Sequence, residues 1–326
     1  MANRSRTMNR RFALLQALFS IVALGAVVWW ASHQDAPEIP SDTNAVAWLI
    51  GALGLYAVAT VVRAERWHAI LMQTGIDAKR SDCYGLSVVG YMGNNVLPAR
   101  AGEALRVFLL DARTGAGKRK VLGTIVAERL LDVIVLGVLF ALTVYLVLDG
   151  DVVPTDEPAL IAGLCFVALG IVIAVLWFIH RRGGLHRLRE LIRPLLDAPR
   201  ALANRRGLVL LTVTFGLWGL EGGVYLAVAR AIDLDISTSG ALYLVALTNF
   251  VAALPAAPGS IGTFDAAVAF GAKALGASGS VAVTYLLLLR FVLYVPITIV
   301  GLIVLVTRYG GWARLRQATH LETSSA

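Results

Sequence analysis

The chain of 326 residues is 58% hydrophobic, has a mean hydropathy of +0.73 and carries a formal net charge of +8. Because a soluble globular domain is only about 45–50% apolar, this composition excludes a water-soluble core. The net charge alone excludes no class of partner. In a membrane protein, the side of the membrane on which the cations lie is more informative than their sum.

Six apolar runs of the sequence are each long enough to cross a bilayer as a helix. A helix rises about 1.5 Å per residue, and the hydrocarbon layer is about 30 Å thick. The predicted spans are Phe12–Trp30, Asn44–Val62, Val121–Leu148, Ala159–Ile179, Leu208–Ala229 and Val281–Thr307. The first run follows several arginines, as a signal peptide would, but it is too long and no small-residue cleavage site follows it.

The distribution of cations predicts the orientation. With the N-terminus inside, the cytoplasmic segments hold 23 lysines and arginines, among them Arg63 and Arg66, whereas the external segments hold only Arg230 and Lys273. By the positive-inside rule, both termini are cytoplasmic. The basic side then faces anionic lipid headgroups, so the pI of 9.8 requires no nucleic acid partner.

Two further apolar regions are interrupted at their centres. Tyr84–Leu110 is broken by the segment 94–103, and Ala241–Gly271 by the segment 249–262, both rich in proline and glycine. The charge distribution requires the chain to enter and leave each region on one side, cytoplasmic for the first and external for the second. Both regions are therefore predicted as re-entrant hairpins, whose tips line the functional cavity because lipid cannot satisfy a broken backbone.

The two tips resemble each other. Leu97-Pro98-Ala99 matches Leu254-Pro255-Ala256 at an offset of 157 residues, and Gly102 and Gly259 each follow their proline by four residues. Coincidence in a chain rich in alanine and leucine is the alternative. An odd number of crossings separates the hairpins, so the match indicates two halves of inverted topology, as in many secondary transporters.

The predicted fold class is an all-α polytopic membrane protein with six full spans and two re-entrant helical hairpins. A single integral membrane domain covers 1–326, with a first repeat at about 12–148, a second at about 159–307 and a short cytoplasmic tail at 308–326. The predicted location is the cell membrane.

Nine charged residues fall inside the predicted membrane region. Each costs about 2.5–3.5 kcal/mol at mid-membrane unless it is paired or hydrated, so together they predict a polar interior. They are Arg100, Glu103, Arg106, Glu128, Arg129, Asp132, Glu221, Asp265 and Arg290.

At the first tip, Arg100 lies beside the predicted start of the second hairpin arm, where free N–H groups and a positive helix dipole suit a phosphate. The alternative is a structural pair between Glu103 and Arg106. On the third span, Glu128 to Asp132 share one sector of the helix, which we expect to face inward. Snorkelling to the cytoplasmic surface is the alternative for Arg129.

At the second tip, Ser260 is a candidate helix cap, and bare N–H groups surround Gly259 and Gly262. This tip has no cation of its own, so Arg290 on the last span is the expected anion partner. A structural salt bridge between Arg290 and Glu221 is the alternative.

No cofactor or metal is expected. The cysteines Cys83 and Cys165 lie far apart, and no nucleotide-binding motif occurs. Three histidines, His68, His180 and His186, flank spans on the basic side and are interpreted as interfacial.

Three motifs carry a resemblance to a known family. They are Asn95-x-Leu97-Pro98-x-Arg100-x-Gly102-Glu103-x-x-Arg106, then Glu128-Arg129-x-x-Asp132, and Pro258-Gly259-x-x-Gly262 before Asp265. The chain resembles the flippase-like membrane-domain family of the lysylphosphatidylglycerol synthases over most of 10–310. That family often has a glutamate where this chain has Asp265. The resemblance implies two re-entrant elements and a role in moving or presenting a lipid between leaflets, without the soluble domain of the synthases.

The leading functional hypothesis is a lipid translocase without enzymatic activity. Its partner would be an anionic phospholipid or a polyprenyl- or hopanoid-type lipid, bound by Arg100, Arg106 and Arg290 and oriented by the charges of the third span. One alternative is a non-transporting partner of a glycosyltransferase or lipid synthase, docked on the basic loop 180–207. Another is an intramembrane enzyme with Glu103 or Glu128 as base. The sequence leaves the headgroup, direction, energy source and oligomeric state open.

Overall fold

The structure is a computed structural model that describes residues 22, 24–36, 40–97, 100–148, 204–253 and 257–311. The predicted span Ala159–Ile179, most of the loop 180–207 and much of the first span lie outside these ranges. A helical stretch at 24–32 comes first. Eight helices follow within the described ranges: α1 (Thr43–Gln73), α2 (Arg80–Val96), α3 (Ala101–Thr114), α4 (Lys118–Leu148), α5 (Arg205–Arg230), α6 (Thr238–Ala253), α7 (Thr263–Ala274) and α8 (Gly279–Tyr309).

Three of these helices, α1, α5 and α8, are long and apolar enough to cross a membrane. They contain three of the predicted spans, and α4 contains a fourth. Their outer faces expose large apolar side chains such as Ile50, Phe291 and Ile303. Such faces are unfavourable in water and suit a lipid environment. The prediction of an all-α membrane protein is thus confirmed.

Helix α1 corrects one part of the sequence interpretation. The apolar run ends at Val62, but the helix continues to Gln73, and it buries Arg63 and Arg66 at 7% and 3% exposure. These two arginines are therefore not loop residues. They belong to the interior of the helix bundle.

The first interrupted region forms a helical hairpin. Its arms, α2 and α3, have 17 and 14 residues, the first ending at Val96 and the second beginning at Ala101. The arms touch through glycines, because a Cβ atom added to Gly102 would lie 1.9 Å from the carbonyl oxygen of Gly90 and 2.6 Å from the backbone nitrogen of Asn94. At about 1.5 Å per residue, each arm is shorter than the ~30 Å hydrocarbon layer.

The second interrupted region forms a similar hairpin from α6 and α7, of 16 and 12 residues. A 3₁₀ turn at Pro258–Ser260 precedes α7. The arms again pack closely, because a Cβ atom on Gly271 would lie 2.4 Å from a methyl group of Leu244. Leu254, Pro255 and Ala256 lie outside the described residues, as do Pro98 and Ala99.

Both hairpins pack against helix α8, one along each half of that helix. Along its C-terminal half, α2 runs antiparallel to it: Gly85 lies against Tyr309, Met92 against Gly301, and the Nδ2 of Asn95 donates to the Oγ1 of Thr298 at 2.9 Å.

Along the N-terminal half of α8, α7 packs instead. The rings of Phe264 and Tyr294 stand edge to face, with centroids 5.4 Å apart. The tips meet near the middle of α8, since a Cβ atom on Gly259 would lie 3.3 Å from the carbonyl oxygen of Asn95. The two hairpins thus approach from opposite ends of one helix.

Candidate functional site

A network of buried ion pairs joins four helices beside the first hairpin. Its centre is Arg66 of α1, whose guanidinium donates to Asp132 at 2.7 Å and to the hydroxyl of Thr214 at 2.9 Å, and lies 3.8 Å from Glu128. Glu128 also accepts a hydrogen bond from Arg106 at 2.6 Å. Paired in this way, charges that would be costly alone are tolerated inside the bundle.

Aromatic rings complete the environment of the buried arginines. The guanidinium of Arg106 stacks on the ring of Trp67 at 3.9 Å. The guanidinium of Arg63 lies 5.5 Å from the ring of Trp218 and pairs with Glu221 at 2.5 Å. Cation–π contacts of this kind strengthen when the cation is desolvated.

The predicted inward sector of α4 is confirmed. Glu128 and Asp132 are buried at 4% and 5% exposure, and both join the network. Arg129 donates from its Nε to Glu103 at 2.9 Å and from one terminal nitrogen to Asp132 at 3.2 Å. Its other terminal nitrogen has no hydrogen-bond partner in the described part of the chain. Glu103 therefore pairs with Arg129, and the alternative pair of Glu103 with Arg106 is not observed.

At the second tip, Arg290 holds the turn before α7. Its Nε donates to Asp265 at 2.6 Å, and its terminal nitrogens donate to the carbonyl oxygens of Gly259 at 2.8 Å and Ser260 at 3.3 Å. All three nitrogens are thus engaged with the protein. The predicted role of Arg290 as an anion partner therefore requires these bonds to break, and the alternative pair of Arg290 with Glu221 is not observed.

The cap of α7 also differs from the prediction. The N-cap residue is Gly262, whose N–H donates to the carboxylate of Asp265 at 2.8 Å. Ser260 lies two residues earlier, with a positive φ of 50°, and its carbonyl oxygen accepts a hydrogen bond from Arg290. The prediction of Ser260 as the cap was wrong, because Gly262 occupies the N-cap position.

The two halves place the same chemistry at the same positions. Arg129 and Arg290 are each the twelfth residue of a 31-residue helix, α4 and α8. Glu103 and Asp265 are each the third residue of the second hairpin arm, α3 and α7. In both halves the Nε of the arginine donates to the carboxylate.

Helix order follows the same scheme. A long helix, two hairpin arms and a 31-residue helix occur in each half, with lengths of 31, 17, 14 and 31 residues in the first and 26, 16, 12 and 31 in the second.

The arginine at the first break, Arg100, differs from every other arginine of the site. It is exposed, immediately precedes α3, and has no hydrogen bond or ion pair among the described residues. It lies three residues before Glu103, the partner of Arg129. Its backbone is left-handed, with φ 54° and ψ 37°, a conformation that costs a non-glycine residue about 1–2 kcal/mol. Such strain is concentrated at functional sites.

The corresponding residue of the second half is Gly262, which also immediately precedes its arm and has a φ of 87°. A glycine adopts this conformation without strain. Its ψ of −52° differs from the 37° of Arg100, so the two arms begin from different backbone turns, and only the first turn adds a cation.

The structure brings most of the predicted residues to two neighbouring places. The first tip and the network contain Asn95, Arg100, Gly102, Glu103, Arg106, Glu128, Arg129, Asp132 and Glu221, and the second tip contains Pro258, Gly259, Ser260, Gly262, Asp265 and Arg290. Pro98 lies outside the described residues. Within them, no group of histidine, cysteine or carboxylate side chains could hold a metal ion.

The sequence interpretation missed Arg63, Arg66, Trp67 and Thr214 as members of the site. The sequence contained a signal of helical periodicity for this face. Residues that lie on one buried helix face recur there every three or four positions: Tyr56, Ala59, Arg63, Trp67 and Ile70.

The family model described as the lysylphosphatidylglycerol synthase TM region matches residues 14–301. A UPF0104 membrane protein of Methanothermobacter thermautotrophicus is 21% identical over 321 residues, which cover 90% of this chain and 94% of that protein. A UPF0104 membrane protein of Pyrococcus horikoshii is 25% identical over 140 residues, which cover 40% of this chain and 42% of that protein.

A further relative carries an enzyme name. Glycosyltransferase AglD of Haloferax volcanii is 22% identical over 307 residues, which cover 81% of this chain and 49% of that protein. The match thus spans less than half the length of this relative and of the Pyrococcus protein.

Proposed function

Since the chain belongs to the family of the lysylphosphatidylglycerol synthase TM region, we propose that it moves or presents an anionic lipid between the leaflets of the cell membrane. In this proposal the two hairpins are re-entrant, enter from opposite faces, and both termini are cytoplasmic. The protein itself performs no chemical step.

The observation that carries the proposal is Arg100. It has no ion pair with any described residue and stands at the break of the first hairpin. That hairpin meets the second near the middle of α8, a helix suited to span the membrane. A cation at that depth is costly unless an anion or water compensates it. The anionic headgroup of a lipid supplies that charge while its acyl chains stay in the bilayer.

The repeated arrangement supports a transport role. Each half presents a broken hairpin tied to a 31-residue helix by an arginine–carboxylate pair. Halves of inverted topology that surround a site near the midplane are the usual architecture of alternating access. Such a repeat predicts that both halves have the same order of long and short helices, as observed.

The test is a lipid redistribution assay. Purified protein in vesicles of phosphatidylcholine and phosphatidylglycerol should speed the movement of a labelled anionic lipid between leaflets. Arg100→Ala should abolish the acceleration, whereas Arg80→Ala, a matched exposed arginine on the same hairpin, should retain it. Equal rates in vesicles with and without protein would reject the proposal.

One observation favours a second candidate, a membrane partner of a glycosyltransferase. AglD, which bears that name, matches 81% of this chain. This candidate predicts that a separate enzyme co-purifies from the native membrane at one copy per chain. That enzyme should lose its activity when this protein is absent. Vesicle redistribution by the pure protein favours the translocase instead.

A further inference from the structure

We propose that the site selects lipids whose headgroup carries one net negative charge, as a single phosphodiester does. This inference rests on the proposed function, because it names the class of lipid that would occupy the same site.

The sum of the charges in the membrane interior indicates which headgroup charge the site prefers. Six arginines and five carboxylates lie in the network and at the two tips, so the site has a net charge of +1. They are Arg63, Arg66, Arg100, Arg106, Arg129 and Arg290 against Glu103, Glu128, Asp132, Glu221 and Asp265. The predicted spans Phe12–Trp30 and Ala159–Ile179 add no charged residue to this balance.

The remaining charges of the first hairpin lie at its base, away from the tip. Asp82, Arg113 and Arg308 pair with one another where α2 begins and where α3 and α8 end. Glu65 lies 3.8 Å from the exposed Arg80 at the start of α2. These groups lie at the base of the hairpin and do not enter the charge balance at the tips.

The excess positive charge is located at one place. Five of the six arginines pair with a carboxylate at 2.9 Å or less, whereas Arg100 has no such partner in the part of the chain that the structure describes. Arg100 lies three residues before Glu103, whose partner Arg129 is 37% exposed and keeps one terminal nitrogen without a partner in the described ranges. The two guanidinium groups together can donate to both non-bridging oxygens of one phosphodiester.

Headgroups with other charges fit less well. A zwitterionic headgroup brings an ammonium group toward Arg100 and leaves the excess charge uncompensated. A headgroup with two negative charges leaves one anion unpaired in the membrane interior. Either residual charge is costly at this depth, so a single negative charge is preferred.

The experiment measures binding rather than transport. Delipidated protein in detergent is mixed with equal amounts of phosphatidylglycerol, phosphatidylcholine and cardiolipin with matched acyl chains, and bound lipid is counted by native mass spectrometry. The expected result is retention of phosphatidylglycerol, with one negative charge, at least about tenfold over the zwitterion and over the lipid with two charges. Equal retention of all three would overturn the inference.

Charge-altering variants make the test specific. Arg100→Gln lowers the net charge of the site to zero and should remove the preference for phosphatidylglycerol over phosphatidylcholine. Glu103→Gln raises it to +2 and should shift retention toward cardiolipin, a change that a purely structural role of Glu103 would not produce. Arg80→Ala should keep the wild-type order. An unchanged order in both site variants would contradict the inference.

The binding experiment and the redistribution assay test the two proposals separately. Selective binding of phosphatidylglycerol without redistribution in vesicles would refute transport but sustain this selectivity. Redistribution of all three lipids at equal rates, with unselective binding, would refute the selectivity but sustain transport.

Discussion

Arg129 and Arg290 stand at the same position of two 31-residue helices, and each donates its Nε to the carboxylate at the third position of the adjacent hairpin arm. The two pairs differ in their surroundings. The first is half-exposed and leaves one nitrogen of Arg129 without a partner among the described residues, whereas the second is more buried and adds two backbone carbonyls. The first pair is therefore suited to ligand exchange and the second to holding a turn.

This asymmetry predicts different costs of truncation. Arg290→Ala should lower the free energy of unfolding by about 3–5 kcal/mol, because it leaves the buried carboxylate of Asp265 unpaired. Arg129→Ala should lower the free energy of unfolding by less, since the side chain of Glu103 is 24% exposed and can be hydrated. Thermal unfolding in detergent measures both. A larger loss for Arg129→Ala would contradict the assignment of the two roles.

The strained turn at Arg100 predicts that stability and function separate. Arg100→Gly should keep or raise the unfolding temperature, because glycine adopts a φ of 54° without the cost of about 1–2 kcal/mol that a side chain adds. Arg100→Ala removes the charge but keeps the strain. Both variants should lose lipid redistribution. Retained activity in the glycine variant would show that the charge is not required.

The buried pair of Arg63 and Glu221 predicts strong coupling between the two halves of the chain. Each single change, Arg63→Met or Glu221→Leu, should destabilise the protein by about 3–5 kcal/mol, since it leaves a buried charge without its partner. The double variant should recover most of that loss. A double-mutant cycle of unfolding free energies measures the coupling. Additive losses would show that the two side chains do not interact.

Close contact of the hairpin arms predicts intolerance at Gly102. Gly102→Ala places a methyl group 1.9 Å from the carbonyl oxygen of Gly90, so the arms must separate and the unfolding temperature should fall sharply. Gly137→Ala is the matched control, because it lies in α4 with no atom within 4 Å of the added Cβ. It should be neutral or slightly stabilising. Equal effects of the two changes would contradict the observed packing.

The meeting point of the first tip with α8 predicts a cross-link. With Cys83 and Cys165 replaced by alanine, Asn95→Cys and Thr298→Cys should form a disulfide on mild oxidation, since the native side chains are 2.9 Å apart. Asn95→Cys with Thr307→Cys, which lies farther along α8, should not. Non-reducing electrophoresis reads the outcome. Cross-linking of the second combination but not the first would refute the register of α2 on α8.

The sequence predicted the elements of the fold because their signals are local. Long apolar runs marked α1, α4, α5 and α8, while proline and glycine marked the two breaks. The shared face of Glu128 and Asp132 followed from helical periodicity alone. These features need no knowledge of which helices are neighbours.

The partners of the charged residues could not be predicted in the same way. Arg63 and Glu221 are 158 residues apart, and their contact depends on how α1 packs on α5. The apolar run stopped at Val62, so composition assigned Arg63 and Arg66 to a loop although the helix continues. Likewise, Ser260 has the side chain of a helix cap, but its carbonyl is held by Arg290 and α7 begins after Gly262.

Helix α8 mechanically links the two hairpins. Its C-terminal half bears the first through Thr298 and Gly301, and its N-terminal half bears the second through Arg290. Because the tips meet near its middle, a tilt of this one helix about its centre displaces the outer ends of the two hairpins in opposite senses. Under the proposed transport function, closing one entrance and opening the other would then be a single movement, which lets a polar group change sides without a continuous water-filled leak.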